Sequence, residues 1–163
     1  MSRSALTIEQ VLTMLAATPP RIAALTAGVA PAHLQTPAHP TEWSANEVLA
    51  HLRACADVWG NCIGAMLAAD RPTLRAVNPT TWIRHTDYRD QAFPSSLHAF
   101  ATQRTALLAV LEPLAPADWT RTATLTGAGK PLERTVLGYA QWLARHERPH
   151  VKQLERLVNP LPR

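Results

Sequence analysis

The stretch TEWSANEVLAHL, residues 41–52, contains a well-defined helix start followed by an apolar stripe. Ser44 and Glu47 have the spacing of a capping box, in which the hydroxyl and the carboxylate each accept a backbone N–H of the first turn. From Val48 onward the apolar residues recur at helical spacing, and His51 lies on the same stripe. The stretch therefore predicts a core helix that carries an imidazole on its inward face.

Length and composition indicate one helical domain spanning residues 1–163. Hydrophobic residues make up 47% of the chain, which excludes a disordered protein, and only six residues are glycine. No apolar run approaches the ~20 residues of a membrane span. The N-terminal residues lack the apolar core of a signal peptide. We expect a soluble, cytoplasmic protein that does not bind membranes.

The net charge of +4 raises the question of nucleic-acid binding. There are only two lysines, the arginines are scattered singly, and no basic run is interleaved with aromatic residues. Nucleic-acid readers concentrate such residues on one face or in a recognisable motif. We therefore expect a small-molecule substrate and no nucleic-acid partner.

The apolar periodicity predicts an all-α fold, a bundle of four helices over residues 7–29, 44–69, 94–114 and 131–158. Pro19-Pro20 is expected to kink or split the first helix. The connection between helices two and three, about 25 residues, is long enough to cross the bundle and has room for a short extra helix. The turn TGAGKP does not match a phosphate-binding loop. No substantial sheet is expected.

The fourth predicted helix, like the second, carries histidine among its apolar residues. His146 and His150 lie on its apolar stripe four residues apart, so their side chains are adjacent and suited to one metal ion. If helices two and four run antiparallel, His51 completes a three-nitrogen site. The alternative is that each is a hydrogen-bonded core histidine. The remaining histidines are expected to be exposed: His33, His39, His85 and His98.

Two further hypotheses share these residues. HERPH is literally the H-E-x-x-H pattern of zinc peptidases, with Glu147 as general base, but Pro149 inside the motif and the short remaining chain count against it. Cys55, one turn after His51, is a possible fourth ligand, although a small core residue is the simpler interpretation. Cys55 and Cys62 are too far apart along one helix to form a disulfide with each other.

The spaced motifs WSxxEVLAHL and RHExxHxxQL resemble the damage-inducible DinB/YfiT-like family of four-helix-bundle metalloenzymes. DWxR at residues 118–121 and the GKPL turn are also similar to family members. The resemblance covers residues 41–157 and implies an up-down-down-up bundle. It further implies a divalent nickel, zinc or iron ion on His51, His146 and His150, and often a homodimer. Pro149 departs from the family pattern.

The resemblance also implies an activity, because characterised relatives include thiol-dependent transferases and an isomerase. A metal-dependent thiol S-transferase or hydrolase is therefore expected, with a low-molecular-weight thiol as a possible second cofactor. The alternative is a non-catalytic bundle in which a metal is structural or absent. Trp59 and Trp82 also favour a homodimer, because a small bundle has difficulty burying both indole side chains.

Overall fold

The computed structural model describes residues 5–159, which form four long helices, three short ones and a small sheet. The elements follow one another along the chain: α1 Ile8–Thr26, α2 Pro31–Gln35, α3 Ala45–Ala68, β1 Thr73–Arg75, α4 Pro79–Trp82, a 3-10 turn Ile83–His85, α5 Phe93–Leu111, α6 Pro116–Trp119, β2 Thr122–Thr126, β3 Leu132–Thr135 and α7 Val136–Val158. The predicted helical bundle is confirmed. No helix among the described residues is long and apolar enough to cross a membrane.

The four long helices surround one interior, and α1 and α3 each pack against both α5 and α7. Paired contacts give their directions. Gln141 binds the backbone of Leu6 and Thr18 binds Glu147, so α1 and α7 run the same way. Residues 53 and 57 of α3 bind residues 96 and 103 of α5, so these two helices are also parallel. In contrast, α3 and α7 are antiparallel, which brings the middle of each helix to the same level.

The start of α3 is the one that its sequence predicts. Ser44 Oγ accepts the backbone N–H of Glu47 at 3.2 Å, and Glu47 Oε2 accepts the backbone N–H of Ser44 at 2.8 Å. This capping box satisfies two of the first-turn donors that a helix leaves without partners. The capping box therefore fixes where α3 begins, about two turns before His51.

The apolar core has two main parts separated along the bundle axis. One contains Val11, Trp59, Leu111 and Leu143, and the other contains Ile22, Leu52, Phe100 and Leu154. Polar and ionisable side chains from the long helices lie between the two parts: Thr18, His51, Arg104, His146, Glu147 and His150. The bundle thus has a polar layer at mid-height.

A small three-stranded sheet, which the sequence did not predict, accompanies the helices. β1 pairs with β2 in parallel, and β2 pairs with β3 antiparallel. The TGAGKP stretch is the hairpin turn, in which Gly127 and Gly129 adopt positive φ angles of 87° and 85°. Because residues 132–135 pair with β2, the last helix begins at Val136 and not at Pro131, with Thr135 as its N-cap.

Other helix boundaries also differ from the prediction. α1 runs without interruption through Pro19-Pro20 and ends at Thr26, and α5 spans 93–111 instead of 94–114. Packing on α5 and α7 maintains α1 despite the missing backbone donors. The long crossover contains β1 and α4, and Trp82 and Tyr88 attach it to α3 by donating to Asp57 Oδ2 at 3.1 and 2.6 Å.

Candidate metal centre

Two of the three predicted ligands meet directly where α3 and α7 cross. His51 Nε2 and His146 Nε2 are 3.0 Å apart, although 95 residues separate them in the chain. Two nitrogens that bind one ion at ~2.1 Å are about that far apart. The antiparallel packing of α3 on α7 therefore produces a pair of nitrogens with the separation of metal ligands.

His150 lies one turn further along α7, and its ring is next to the other two. Its ring centroid is 4.8 Å from the centroids of both His51 and His146. His150 Nδ1 is 3.1 Å from Oε1 of Gln153, an arrangement in which the amide oxygen accepts the ring N–H. Such a partner fixes the orientation and tautomer of a metal-binding imidazole. Pro149 does not interrupt α7, so the departure from the family pattern leaves His150 beside the other two rings.

Cys55 is closer to the centre than the sequence alone suggested. Its Sγ lies 3.5 Å from both His51 Nε2 and His146 Nε2, and one donor atom from each of the three residues lies within 4.8 Å of the others. Burial, assisted by the charge of Glu147, raises the pKa of Cys55 to about 12. The metal-free protein therefore keeps Cys55 as a neutral thiol at pH 7.

His51 and His146 are held in the uncharged form that binds metals. Burial is the main reason that the pKa of His51 falls to about 4, and the neighbouring His150, His146 and Arg89 lower it further. The pKa of His146 is also lowered, first by burial and then by His150. Both rings are therefore neutral at pH 7, and neither has to lose a proton before it binds a metal ion.

Aromatic side chains surround the histidines. Trp43 lies 5.1 Å from His51 and stacks at 6.3 Å on His150, measured between ring centroids. The ring of Trp59 is perpendicular to that of His146, with 5.1 Å between their centroids. The three imidazoles themselves are partly exposed and not buried as their stripes predicted, because they lie at the rim of the core. A small molecule can thus approach the centre from solvent.

Glu147, which follows His146 on α7, takes part in a different set of interactions. It is 1% exposed and is bound at both carboxylate oxygens by Arg104, while Thr18 donates to Oε2 at 2.7 Å. A carboxylate bound in this way is not available as the general base of a peptidase, so that hypothesis is wrong. Sequence reasoning missed the Arg104–Glu147 pair, although an arginine on the apolar stripe of the third helix was a visible signal.

The other four histidines are all exposed, as expected: His33, His39, His85 and His98. His33 donates from Nε2 to the carbonyl of Leu157 at 2.9 Å. The donor atoms that lie within 4.8 Å of one another come from His51, Cys55 and His146, and the ring of His150 lies next to both histidine rings. Soft and borderline nitrogen and sulfur donors suit nickel, zinc or iron, so the residues fit a divalent ion.

Comparison with known proteins agrees with this architecture. The model of a protein family described as the DinB superfamily matches residues 14–154. The chain belongs to the DinB superfamily. Among solved structures, the DinB chain is similar to YfiT from Bacillus subtilis, with 19% identity and a TM-score of 0.74 over 96% of this chain and 91% of YfiT. No curated protein matches the sequence.

YfiT is described as a probable metal-dependent hydrolase with an unusual four-helix bundle topology. At 19% identity the likeness demonstrates a shared fold. Together with the His51–Cys55–His146 cluster, superfamily membership supports a metal-dependent function for this DinB chain.

Proposed function

We propose that this DinB-superfamily protein is a metal-dependent enzyme of the hydrolase or thiol S-transferase type, with a divalent ion on His51, His146 and His150. The observation that carries the proposal is the 3.0 Å approach of two neutral imidazole nitrogens, with a third imidazole facing them at a partly exposed position. The description of YfiT as a probable metal-dependent hydrolase supports the same class of chemistry.

His150 is a better third ligand than Cys55 for an open site. Gln153 already orients the His150 ring, as the hydrogen-bond partner of a metal-binding imidazole does. Cys55 is completely buried and has a raised pKa, so it must give up a proton against its surroundings before it can bind. With three protein ligands, a coordination position is left for water or a thiol, as catalytic sites require.

The residues of this chain then have separate roles in the mechanism. A divalent ion held by these histidines would lower the pKa of a bound water or thiol and so make a nucleophile available near pH 7. Trp43 and Trp59 limit solvent around the three rings. The Arg104–Glu147 pair fixes α7 so that His146 and His150 face α3. A low-molecular-weight thiol would serve as the second substrate of the transferase.

A structural metal is the second candidate, and Cys55 is the observation that favours it. If Cys55 binds together with the three histidines, the ion has four protein ligands and no open position, which is typical of structural zinc. The protein would then be a non-catalytic bundle. Both candidates agree with a reducing cytoplasm, since Cys55 and Cys62 are free thiols.

Metal titration of the stripped protein tests the ligand set. Wild type is expected to take up one nickel, zinc or iron(II) ion per chain, and His51→Ala, His146→Ala and His150→Ala are each expected to weaken binding at least about tenfold. His98→Ala is the matched control, because His98 is exposed on α5, and should bind like wild type. Full affinity in His51→Ala would contradict the site.

Cys55→Ala separates the two candidates. Unchanged affinity in this variant supports three histidine ligands and an open position, whereas a loss equal to that of His51→Ala supports the closed structural site. Activity completes the test: metal-loaded protein is assayed for 4-nitrophenyl acetate hydrolysis and for conjugation of a thiol to 1-chloro-2,4-dinitrobenzene. A metal-dependent rate that disappears in His51→Ala supports an enzyme, and no rate above the metal-free protein favours the structural candidate.

A further inference from the structure

A cavity of about 480 Å³ lies between the small sheet and the adjoining ends of α3 and α7. Trp59 and Val58 from α3, Tyr139 and Trp142 from α7, and residues of the β2–β3 hairpin form its walls. The volume is within the range of pockets that bind small molecules.

The mouth of this cavity is unusually apolar for a surface. Val77, Leu132 and Trp142 line it, and each is 44–47% exposed. These are three of the four large apolar side chains that are exposed among residues 5–159. Water-exposed apolar side chains gathered around one concavity mark a binding site more often than scattered ones do. A ligand with an apolar body would cover them.

The cavity contains one charged side chain among its described lining residues, that of Arg134. Arg134 is partly buried, its guanidinium carbon lies 6.0 Å from the ring centroid of Trp142, and no ion pair joins it to a carboxylate within the described part of the chain. A guanidinium that lacks a carboxylate and borders an apolar cavity is suited to a planar anion, which it can bind through two parallel hydrogen bonds.

The cavity leads to the histidine centre through two tryptophans. Trp59 lines the cavity, and its ring also contacts the ring of His146. Trp142 packs against Trp59 with 5.1 Å between centroids, and it precedes His146 by one turn of α7. A molecule lying on these two indoles therefore has its near end beside His146, while Arg134 marks the far side.

We propose that this cavity binds the substrate, and that the substrate is a flat apolar molecule, such as an aromatic ring, bearing a carboxylate that pairs with Arg134. The ring lies on Trp59 and Trp142, and the reacting end points toward the histidines. Calling this ligand a substrate rests on the proposed function. Binding in the cavity depends on Arg134 and the two tryptophans, and it can be measured without metal.

Calorimetric binding of two probes tests the inference: 2-naphthoate, and its neutral counterpart 2-naphthamide. Wild-type protein is expected to bind 2-naphthoate about tenfold more tightly than the amide, in the range for one charge-assisted hydrogen-bonded pair at a partly exposed site. Arg134→Gln should reduce this preference to within about twofold. Arg148→Gln is the matched control, since Arg148 is an exposed arginine on α7 that lines a different cavity, and it should keep the preference.

Trp142→Ala should weaken both probes alike, because it removes part of the apolar wall and leaves the guanidinium. Metal-stripped wild type and His51→Ala should still bind 2-naphthoate. A wild-type protein that takes up no metal but still binds the probe would contradict the proposed function and leave the inference about the cavity intact. Equal affinity for 2-naphthoate in Arg134→Gln and wild type, or no binding at millimolar probe, would overturn the inference. The inference would also be overturned if Trp142→Ala bound neither probe and had a different mass from wild type in light scattering. The exposed apolar side chains at the cavity mouth would then belong to a subunit interface.

Discussion

His51 and His146 approach each other as neutral rings, and that neutrality depends on where each ring lies. Each is partly withdrawn from water, and each is close to other groups that carry positive charge when protonated. Protonating one ring would place a cation 3.0 Å from its neighbour in a poorly solvated site. The metal-free centre therefore resists protonation that a histidine in an unfolded chain accepts.

This resistance predicts that the metal-free protein loses stability in mild acid. The folded pKa of His51, about 4, lies below the unfolded value of 6.5, so the unfolded state binds a proton first as the pH falls. The free energy of unfolding should thus decrease between pH 6.5 and pH 4, by at most about 1.4 kcal/mol per pH unit from this residue, and by less because the ring is partly exposed.

Urea denaturation at several pH values measures this dependence. His51→Gln should show a shallower decrease than wild type, whereas His98→Gln, which alters an exposed histidine, should follow wild type. Parallel curves for wild type and His51→Gln would contradict the prediction.

The helices α1, α5 and α7 are joined at mid-height by a buried ion pair. Arg104 binds both oxygens of Glu147 and also donates to the carbonyl of Leu15 at 2.9 Å, and both side chains are at most 2% exposed. Arg104 Nε has no hydrogen-bond partner among the described residues. Such a pair specifies how the helices are rotated more than it adds net stability. Here the rotation of α7 decides where His146 and His150 point.

Breaking this pair on one side is therefore predicted to be costly. Arg104→Met leaves Glu147 charged and buried, and should lower the free energy of unfolding by about 3–5 kcal/mol. The double variant Arg104→Met/Glu147→Leu removes both charges and should recover most of that loss. Thermal and urea denaturation measure both values, and a double variant as unstable as the single one would contradict the argument.

The whole bundle brings together donors from two antiparallel helices, so a bound ion connects α3 to α7 across the polar layer. An ion that binds only the folded state stabilises it by mass action, by about 2.7 kcal/mol when its free concentration is one hundred times Kd. Nickel or zinc should accordingly raise the melting temperature of stripped wild type. His150→Ala should lose most of this increase, and an equal increase in both proteins would exclude His150 as a ligand.

The homodimer also belongs to the scale of the whole molecule. Trp59 is 8% exposed and Trp82 donates to Asp57, so the chain buries or anchors both indoles that suggested an interface. The prediction now rests on the resemblance to the family. Light scattering at high micromolar concentration should give twice the chain mass, and a monomer at that concentration would contradict it.

Local sequence patterns determined the parts of this protein that repeat with a helical period. The capping box at Ser44, the four long helices and the one-turn spacing of His146 and His150 are all visible in short stretches, because neighbouring residues on a helix have fixed geometry. The sheet left no such signal, since strands of three to five residues have no measurable period and their partners lie elsewhere in the chain.

Only the tertiary structure decided which side chains meet. The 3.0 Å approach of His51 to His146, the position of Cys55 beside them and the burial of Glu147 against Arg104 all depend on how distant helices rotate and pack. The same packing keeps α1 continuous through Pro19-Pro20, where local rules predict a kink. Spacing along one helix determines which residues share a face. The distance between two helices is instead set by every contact that packs them together.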